Sequence, residues 1–288
     1  MSTPRVAVVG SVNMDLLTAT GRLPRPGETI LGSAFAATPG GKGANQAIAA
    51  ARAGGEVTFI GAVGSDVFAL DLRQALVDAE VDTRFLREVD GPSGIAAITV
   101  DAAGENCIVV VPGANSTVAD LTPAELAAIA DADVLLCQLE IPLDTVVAAA
   151  AHAAAHDTVV MVNPSPVQPL PRELVELIDV LLVNETESAQ LGADVTGAVT
   201  HLVTTRGSSG ADHTDGDGVT LHADSPEVAV VDTTGAGDAF AGALAVSWLG
   251  GPAAAVPFAC TAGALAATRR GASTSSPTVA EIEAALPG

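Results

Sequence analysis

The chain has 288 residues, long for one globular unit but within the range over which α/β folds close around a single core. Its 12 basic and 34 acidic residues give a formal net charge of −22, which repels nucleic acid and anionic lipid at long range and argues against both as partners. A small phosphate-bearing ligand remains compatible, because backbone donors, a Mg²⁺ ion and one or two local cations can outweigh a distant field.

Three scattered cysteines (Cys107, Cys137, Cys260) with no Cys-x-x-Cys spacing suggest neither a disulfide framework nor a zinc site and fit a reducing cytosol. The chain enters a strand-like run at Arg5, which leaves no room for a signal peptide, so a cytoplasmic location is expected.

Apolar runs at 6–9, 57–60, 134–137, 159–162, 180–183, 201–204 and 228–231 alternate with helical patterns, which predicts a parallel sheet covered on both faces. Helix starts stand out at Thr122-Pro123-Ala124-Glu125 and Thr278-Val279-Ala280-Glu281, each with a capping-box acid. Runs at 30–38, 94–101 and 106–111 break the strand–helix alternation, and the last two, with no helix between them, read as a hairpin around Ala102-Ala103-Gly104-Glu105. They predict a small antiparallel sheet outside the main one, a lid, a dimer surface or an ordinary surface hairpin. The uncharged stretch 239–268 resembles a membrane span only in part. Gly250-Gly251-Pro252 and Pro257 break it into pieces shorter than the roughly 20 residues a span needs, so two buried core helices are expected.

Asn13 and Asp15 follow the first strand on one face of an extended chain, where an amide and a carboxylate suit a hydroxyl clamp or an Asx turn. Pro39-Gly40-Gly41-Lys42-Gly43-Ala44-Asn45-Gln46 is a glycine-rich turn leading into a helix. It is not a Walker loop, since Gly43 rather than Ser or Thr follows Lys42. Such glycines let backbone approach a ligand, and Asn45 could donate to and accept from a polyol. Glu140 follows the 134–137 run, and ligands of open α/β sheets bind beyond such strand ends.

Asn184-Glu185-Thr186-Glu187 could hold Mg²⁺ through water or cap the next helix. Thr205-Arg206-Gly207-Ser208-Ser209-Gly210 is small enough for close approach by a nucleotide and lacks the setting of a hydrolase elbow. His152 and His156, at i and i+4, read as a solvent-facing pair because the His-Glu-x-x-His pattern fails. No Gly-x-Gly-x-x-Gly follows the first strand, which argues against a nicotinamide enzyme.

Asp232-Thr233-Thr234-Gly235-Ala236-Gly237-Asp238-Ala239-Phe240 carries the most information. Glycines turn the backbone where an Ala-rich helix begins, so unpaired N–H groups and the positive end of the helix dipole meet at an anion site. Asp238 there would repel phosphate unless it accepts a proton, which suggests a general base; its bland alternative is a helix cap.

Together these six segments, in order from Gly10 to about Ser275, closely resemble the ribokinase-like (PfkB) carbohydrate kinases. Gly113-Ala114-Asn115, Gln138-Leu139-Glu140 and Asn163-Pro164-Ser165-Pro166 strengthen the resemblance. It implies a single ribokinase-like domain over 1–288, a three-layer α/β/α fold with a mainly parallel central sheet, and a small antiparallel β lid from about 12–38 and 92–112 that serves as dimer clasp. The implied reaction is transfer of the ATP γ-phosphoryl group to a pentose, D-ribose foremost. Another furanose (deoxyribose, a nucleoside, fructose) and a catalytically silent sugar-binding regulator are the alternatives.

By the same resemblance Asp238 is the base, and the backbone of Gly235, Ala236 and Gly237 forms the anion hole. Asn13, Asp15, Gly41, Lys42, Gly43, Asn45 and Glu140 hold the sugar, while Asn184, Thr205, Arg206, Gly207, Ser208, Ser209, Gly210, Gly237 and Cys260 line the nucleotide. Asn184 and Glu187 organise Mg²⁺ through water, and Asp232, Thr234, Ala266, Arg269, Gly271 and Ser275 ligate K⁺ or a similar monovalent cation. The chain departs from the pattern after Glu187, where only a short stretch precedes the 201–204 run and the family fits a further helix.

Overall fold

The first apolar run folds as β1 (Arg5–Val9), and its side chains divide by the two-residue period of a strand. Val6 and Val8 join one core cluster and Ala7 and Val9 another, so the strand is buried on both faces, as a central parallel strand must be. The structure, a computed structural model, describes residues 3–286.

The remaining strands are β2 (Asn13–Thr20), β3 (Gly32–Gly40), β4 (Glu56–Val63), β5 (Asp82–Glu88), β6 (Gly94–Val100), β7 (Asn106–Val111), β8 (Val134–Cys137), β9 (Val159–Val162), β10 (Val180–Asn184), β11 (His201–Thr205), β12 (Ala211–Asp215) and β13 (Thr220–Ala223). The helices are α1 (Lys42–Arg52), α2 (Ala69–Asp78), α3 (Pro123–Ala130), α4 (Leu143–Ala154), α5 (Arg172–Val175), α6 (Glu185–Leu191), α7 (Ala193–Thr196), α8 (Ala236–Ser247), α9 (Pro252–Ala266) and α10 (Val279–Ala285).

The large sheet runs β13-β12-β11-β10-β9-β8-β1-β4-β5. It is parallel from β11 to β5, and β12 and β13 add an antiparallel edge. Helices α1, α2, α8, α9 and α10 pack on the face that includes Val6 and Val8, and α3, α4 and α5 on the face that includes Ala7 and Val9. Both expected capping boxes form, at Thr122 with Glu125 and at Thr278 with Glu281.

A second sheet, β3-β2-β6-β7, stands apart as the lid. Its outer pairs are antiparallel, and β2 and β6, which meet in its middle, run parallel.

The run at 228–231 is not a strand. Val230 and Val231 are exposed, and the Val231 and Asp232 N–H groups both donate to the Ala267 carbonyl instead of a sheet partner. The hairpin β12–β13, which the apolar pattern did not mark, occupies the sheet edge, and an apolar run of four is too short to fix its own partner. The stretch 239–268 does form two helices with buried faces, α8 and α9, but Pro257 lies inside α9 and does not divide it. Among the described residues no helix is long and apolar enough to cross a membrane. The stretch after Glu187 folds as α6 followed by the single turn α7 before β11.

Helix α8 owes its position to small residues. A β-carbon on Gly242 would come within 2.5 Å of the Ala50 amide and 2.7 Å of the Gln46 carbonyl, so α8 lies with its backbone directly against α1. That contact brings the first turn of α8 beside the first turn of α1, at the carboxyl edge of the large sheet.

Candidate active site

The carboxyl ends of β1, β8, β9, β10 and β11 deliver Gly10, Gln138, Asn163, Asn184 and Thr205 to one edge, where open α/β sheets bind their ligands. From β1 the chain passes through Ser11 and Val12 into the lid, and α1 returns to the same point. The Ala44 N–H donates to the Ser11 carbonyl at 2.8 Å, and the Gly43 N–H to Ser11 Oγ at 3.3 Å.

Glu140 Oε2 gathers that junction. It accepts from Ser11 Oγ at 2.5 Å, the Lys42 N–H at 3.0 Å and Asn13 Nδ2 at 3.5 Å. Asn115, buried after β7, accepts from the Val12 N–H at 3.0 Å and donates to Asn13 Oδ1 at 2.7 Å, which aims the Asn13 amide. Asp15 follows on the same face of β2. Burial, and then the negative charges of Glu140 and Asp238, push its carboxyl up to about 7. Three converging carboxylates with few cations form a poor anion site and a good receptor for hydroxyl donors.

Asp238 sits in the first turn of α8, whose N-cap is Gly235 in the left-handed region at φ 76. Its carboxylate does not cap the helix. Oδ2 accepts from Asn45 Nδ2 at 3.1 Å and Oδ1 from Gln46 Nε2 at 3.0 Å. Burial drives the Asp238 carboxyl above the usual range, opposed by the Lys42 charge and by the two amide donors. A carboxylate so surrounded is more basic than one in water, a feature the bare sequence does not require.

A cavity of about 180 Å³ opens above it, lined by Lys42, Asn163, Asn184, Glu187, Thr205, Gly235, Gly237 and Asp238 among others. Asn184 and Glu187 cap α6 reciprocally, Asn184 N–H to Glu187 Oε2 at 2.9 Å and Glu187 N–H to Asn184 Oδ1 at 2.8 Å, and face the cavity as well. The capping reading of that pair holds, and both side chains remain on the cavity wall. Of the expected anion-hole backbone, Gly235 and Gly237 line the cavity, whereas the Ala236 N–H donates to the Thr233 carbonyl at 3.2 Å.

Beyond Thr205, residues Gly207, Ser208 and Ser209 form one 3₁₀ turn closed by Gly210. Arg206 is held by Glu185 at 2.6 Å and Asp212 at 2.7 Å. These residues, and the buried Cys260, whose thiol points to the Ala223 carbonyl at 3.7 Å, lie outside the cavity lining.

Behind Gly235 two loops are stitched together at Asp232, which accepts from the Thr234 N–H at 2.9 Å and the Gly271 N–H at 3.1 Å. Burial would raise the Asp232 carboxyl, but these bonds and the charge of Arg270 hold it below the usual range. Nearby, the Ala266 carbonyl accepts from the Arg269 N–H, Arg269 pairs with Glu281, and Ser275 donates to the Ala272 carbonyl at 2.7 Å. The oxygen-rich loops suit a hard monovalent cation.

His152 and His156 stack on each other with ring centroids 4.2 Å apart. No group of three His, Cys, Asp or Glu able to hold a metal occurs among the described residues.

Sequence reasoning did not single out Ser11, and gave Gln46, Asn115, Gln138 and Asn163 no role. Gln46 is fully buried between Asp238 and Asn163. A polar residue one position after Asn45 on a helix whose other inward residues are mostly Ala was the available signal.

The model for pfkB family carbohydrate kinases matches residues 3–279. The chain is 38% identical to the ribokinase of Bacillus subtilis (strain 168) over 293 residues, covering 98% of this chain and 99% of that protein. It is 32% identical to the deoxyribokinase of Salmonella typhi over 96% of this chain and 97% of the relative. Among solved structures, the Arabidopsis thaliana ribokinase complexed with ribose and ATP aligns with a TM-score of 0.92 at 30% identity over 100% of both chains. The Thermotoga maritima ribokinase aligns with a TM-score of 0.90 at 32% identity, over 98% of this chain and 99% of that one.

Proposed function

This chain belongs to the pfkB family of carbohydrate kinases, and we propose that it transfers the γ-phosphoryl group of ATP to D-ribose, giving ribose 5-phosphate, with Asp238 as the general base. The observation that carries this reading is the Asp238 carboxylate, held by two amide donors at the mouth of a helix and facing the cavity that Lys42, Asn184 and Thr205 share.

The sugar lies among Asn13, Asp15, Asn45 and Glu140, with the backbone of Gly41, Lys42 and Gly43 beside it. Its hydroxyl donors neutralise what would otherwise be mutual repulsion of carboxylates. Asp238 takes the proton of the attacking hydroxyl as the oxygen–phosphorus bond forms, and burial gives it the basicity to do so. Lys42 and the backbone of Gly235 and Gly237, which line the cavity, face the charge that develops on the transferred group. The lid closes over the sugar and excludes competing water.

The donor set fits Mg²⁺ carried mainly by the nucleotide: Glu187 and Asn184 offer one carboxylate and one amide, enough to hold a hydrated ion through its waters and too few for a protein cage. When bound, the ion neutralises phosphate charge. K⁺ or a similar ion fits the loops around Asp232, Thr234, Gly271 and Ser275, where it would brace the turn that leads to Gly235.

Deoxyribose is the second reading, favoured by the deoxyribokinase relative at 32% identity. An ADP-release assay over a panel of ribose, deoxyribose, fructose and nucleosides decides between them, and a silent regulator would release no ADP with any. In the same assay Asp238→Asn should keep sugar and ATP binding by calorimetry while turnover falls at least 10²- to 10⁴-fold. Near-normal turnover would remove Asp238 as the base.

A further inference from the structure

The Asp238 carboxylate is one end of a chain of side-chain amides that no step so far has used. Asn163 Nδ2 donates to the Leu182 carbonyl at 3.0 Å, and a backbone carbonyl can only accept, so Asn163 Oδ1 must face the other way. It faces Gln46 Nε2 at 3.0 Å, and the same nitrogen donates to Asp238 Oδ1 at 3.0 Å. Gln46 Oε1 then points to Gln138 Nε2, which donates to it at 2.6 Å. The direction of each amide follows from its neighbour, starting at a backbone group that cannot be turned over.

Gln46 and Gln138 are both completely buried, so water cannot take the place of either amide's partner at Gln46. A Gln46 turned end for end would set its carbonyl oxygen against the Asp238 carboxylate and against Asn163 Oδ1, three acceptors with no proton among them. Only a protonated Asp238 would tolerate that arrangement, and it would set Gln46 Nε2 against Gln138 Nε2 unless Gln138, whose buried Oε1 has no partner, turned over with it.

Building on the base reading, we propose that Gln46 is a positioning residue that keeps Asp238 an unprotonated acceptor in one orientation, and that Gln138 and Asn163 set its direction. Asn45 steadies the other carboxylate oxygen. The amides and the Lys42 charge pull the carboxyl down against burial, which pushes it up. The groups that face Asp238 are thus Asn45, Gln46 and Lys42 from α1 and Glu140 from the end of β8, with Asp15 from the lid.

The test uses Gln46→Met, which conserves length and removes both N–H donors, and Gln138→Met, which leaves Gln46 free to turn. For Gln46→Met we expect kcat to fall about 10- to 100-fold with sugar KM within about 3-fold of wild type, the scale on which misplacing a catalytic group acts. The acid limb of the kcat profile should move to higher pH, and Gln138→Met should move it in the same direction by less. The Asp238 carboxyl, followed by carbon NMR in aspartate-labelled protein, should titrate at higher pH in both variants than in wild type. A carboxyl that titrates identically in wild type and Gln46→Met overturns the assignment, as does a lower kcat with an unmoved acid limb. A wild-type titration in Gln138→Met overturns the directing role of Gln138, and should Gln46→Met not fold, Gln138→Met carries the test alone. The NMR readout does not need turnover, so an active Asp238→Asn would remove the base reading and leave the Gln46 result standing.

Discussion

Asp15 occupies the space that Gly40 leaves empty: a β-carbon at Gly40 would overlap the Asp15 carboxylate, so the clamp on β2 depends on a missing side chain on β3. The closeness that makes the clamp also desolvates it. The folded pKa of Asp15 is about 7 against 3.8 for a free carboxyl. Below pH 3.8 both states hold the proton and burial costs nothing. Between there and about 7 the folded chain keeps a proton the unfolded chain has lost, so stability falls as pH rises and then levels. Asp15→Asn should therefore stabilise the sugar-free protein at pH 8 by roughly 1–3 kcal/mol, from about 1.4 kcal/mol per pKa unit less a discount for partial solvent access. The gain should shrink towards zero at pH 4, and sugar affinity should drop. Denaturant melts at the two pH values check this; an equal gain at both would mean the carboxyl is not strained by burial.

Glu187 has two duties, and one substitution separates them. Gln serves as well as Glu at the fourth position of a capping box, so Glu187→Gln should leave the unfolding temperature unchanged while removing the charge that faces the cavity. The Mg²⁺ concentration for half-maximal rate should rise about tenfold, the scale of losing an outer ligand. An unchanged Mg²⁺ requirement would reduce Glu187 to a cap.

Strand β7 is the edge of the lid sheet and exposes all six residues, with Ile108 51% and Val109 58% open. A strand apolar on both faces and unpaired along one side is a surface that self-associates. We propose that two copies pair through it. Sedimentation should show a dimer for the wild-type protein and a monomer for Val109→Lys; a monomeric wild type at tens of micromolar would end the proposal.

Much of this was legible along the chain because the rules involved are local. Capping boxes at Thr122 and Thr278, the hairpin of β6 and β7, and the Gly-Ala-Gly-Asp turn each act within a few residues, where backbone geometry and side-chain chemistry decide alone. The polar residues that follow successive strands also pointed Asn13, Glu140 and Asn184 to one edge. The run at 228–231 misled because apolar character says that a segment wants burial without saying which partner it will have.

The sequence by itself determined the fold class, the family and the acid that faces the cavity, since periodicity and short motifs are written in neighbouring residues. Only the tertiary structure decided how that acid is held. Gln46 and Asp238 stand 192 positions apart and Gln46 and Gln138 stand 92, and no local pattern ties them. They meet because the bare backbone at Gly242 lets two helices touch, and a hydrogen bond has no direction until both of its ends are in place.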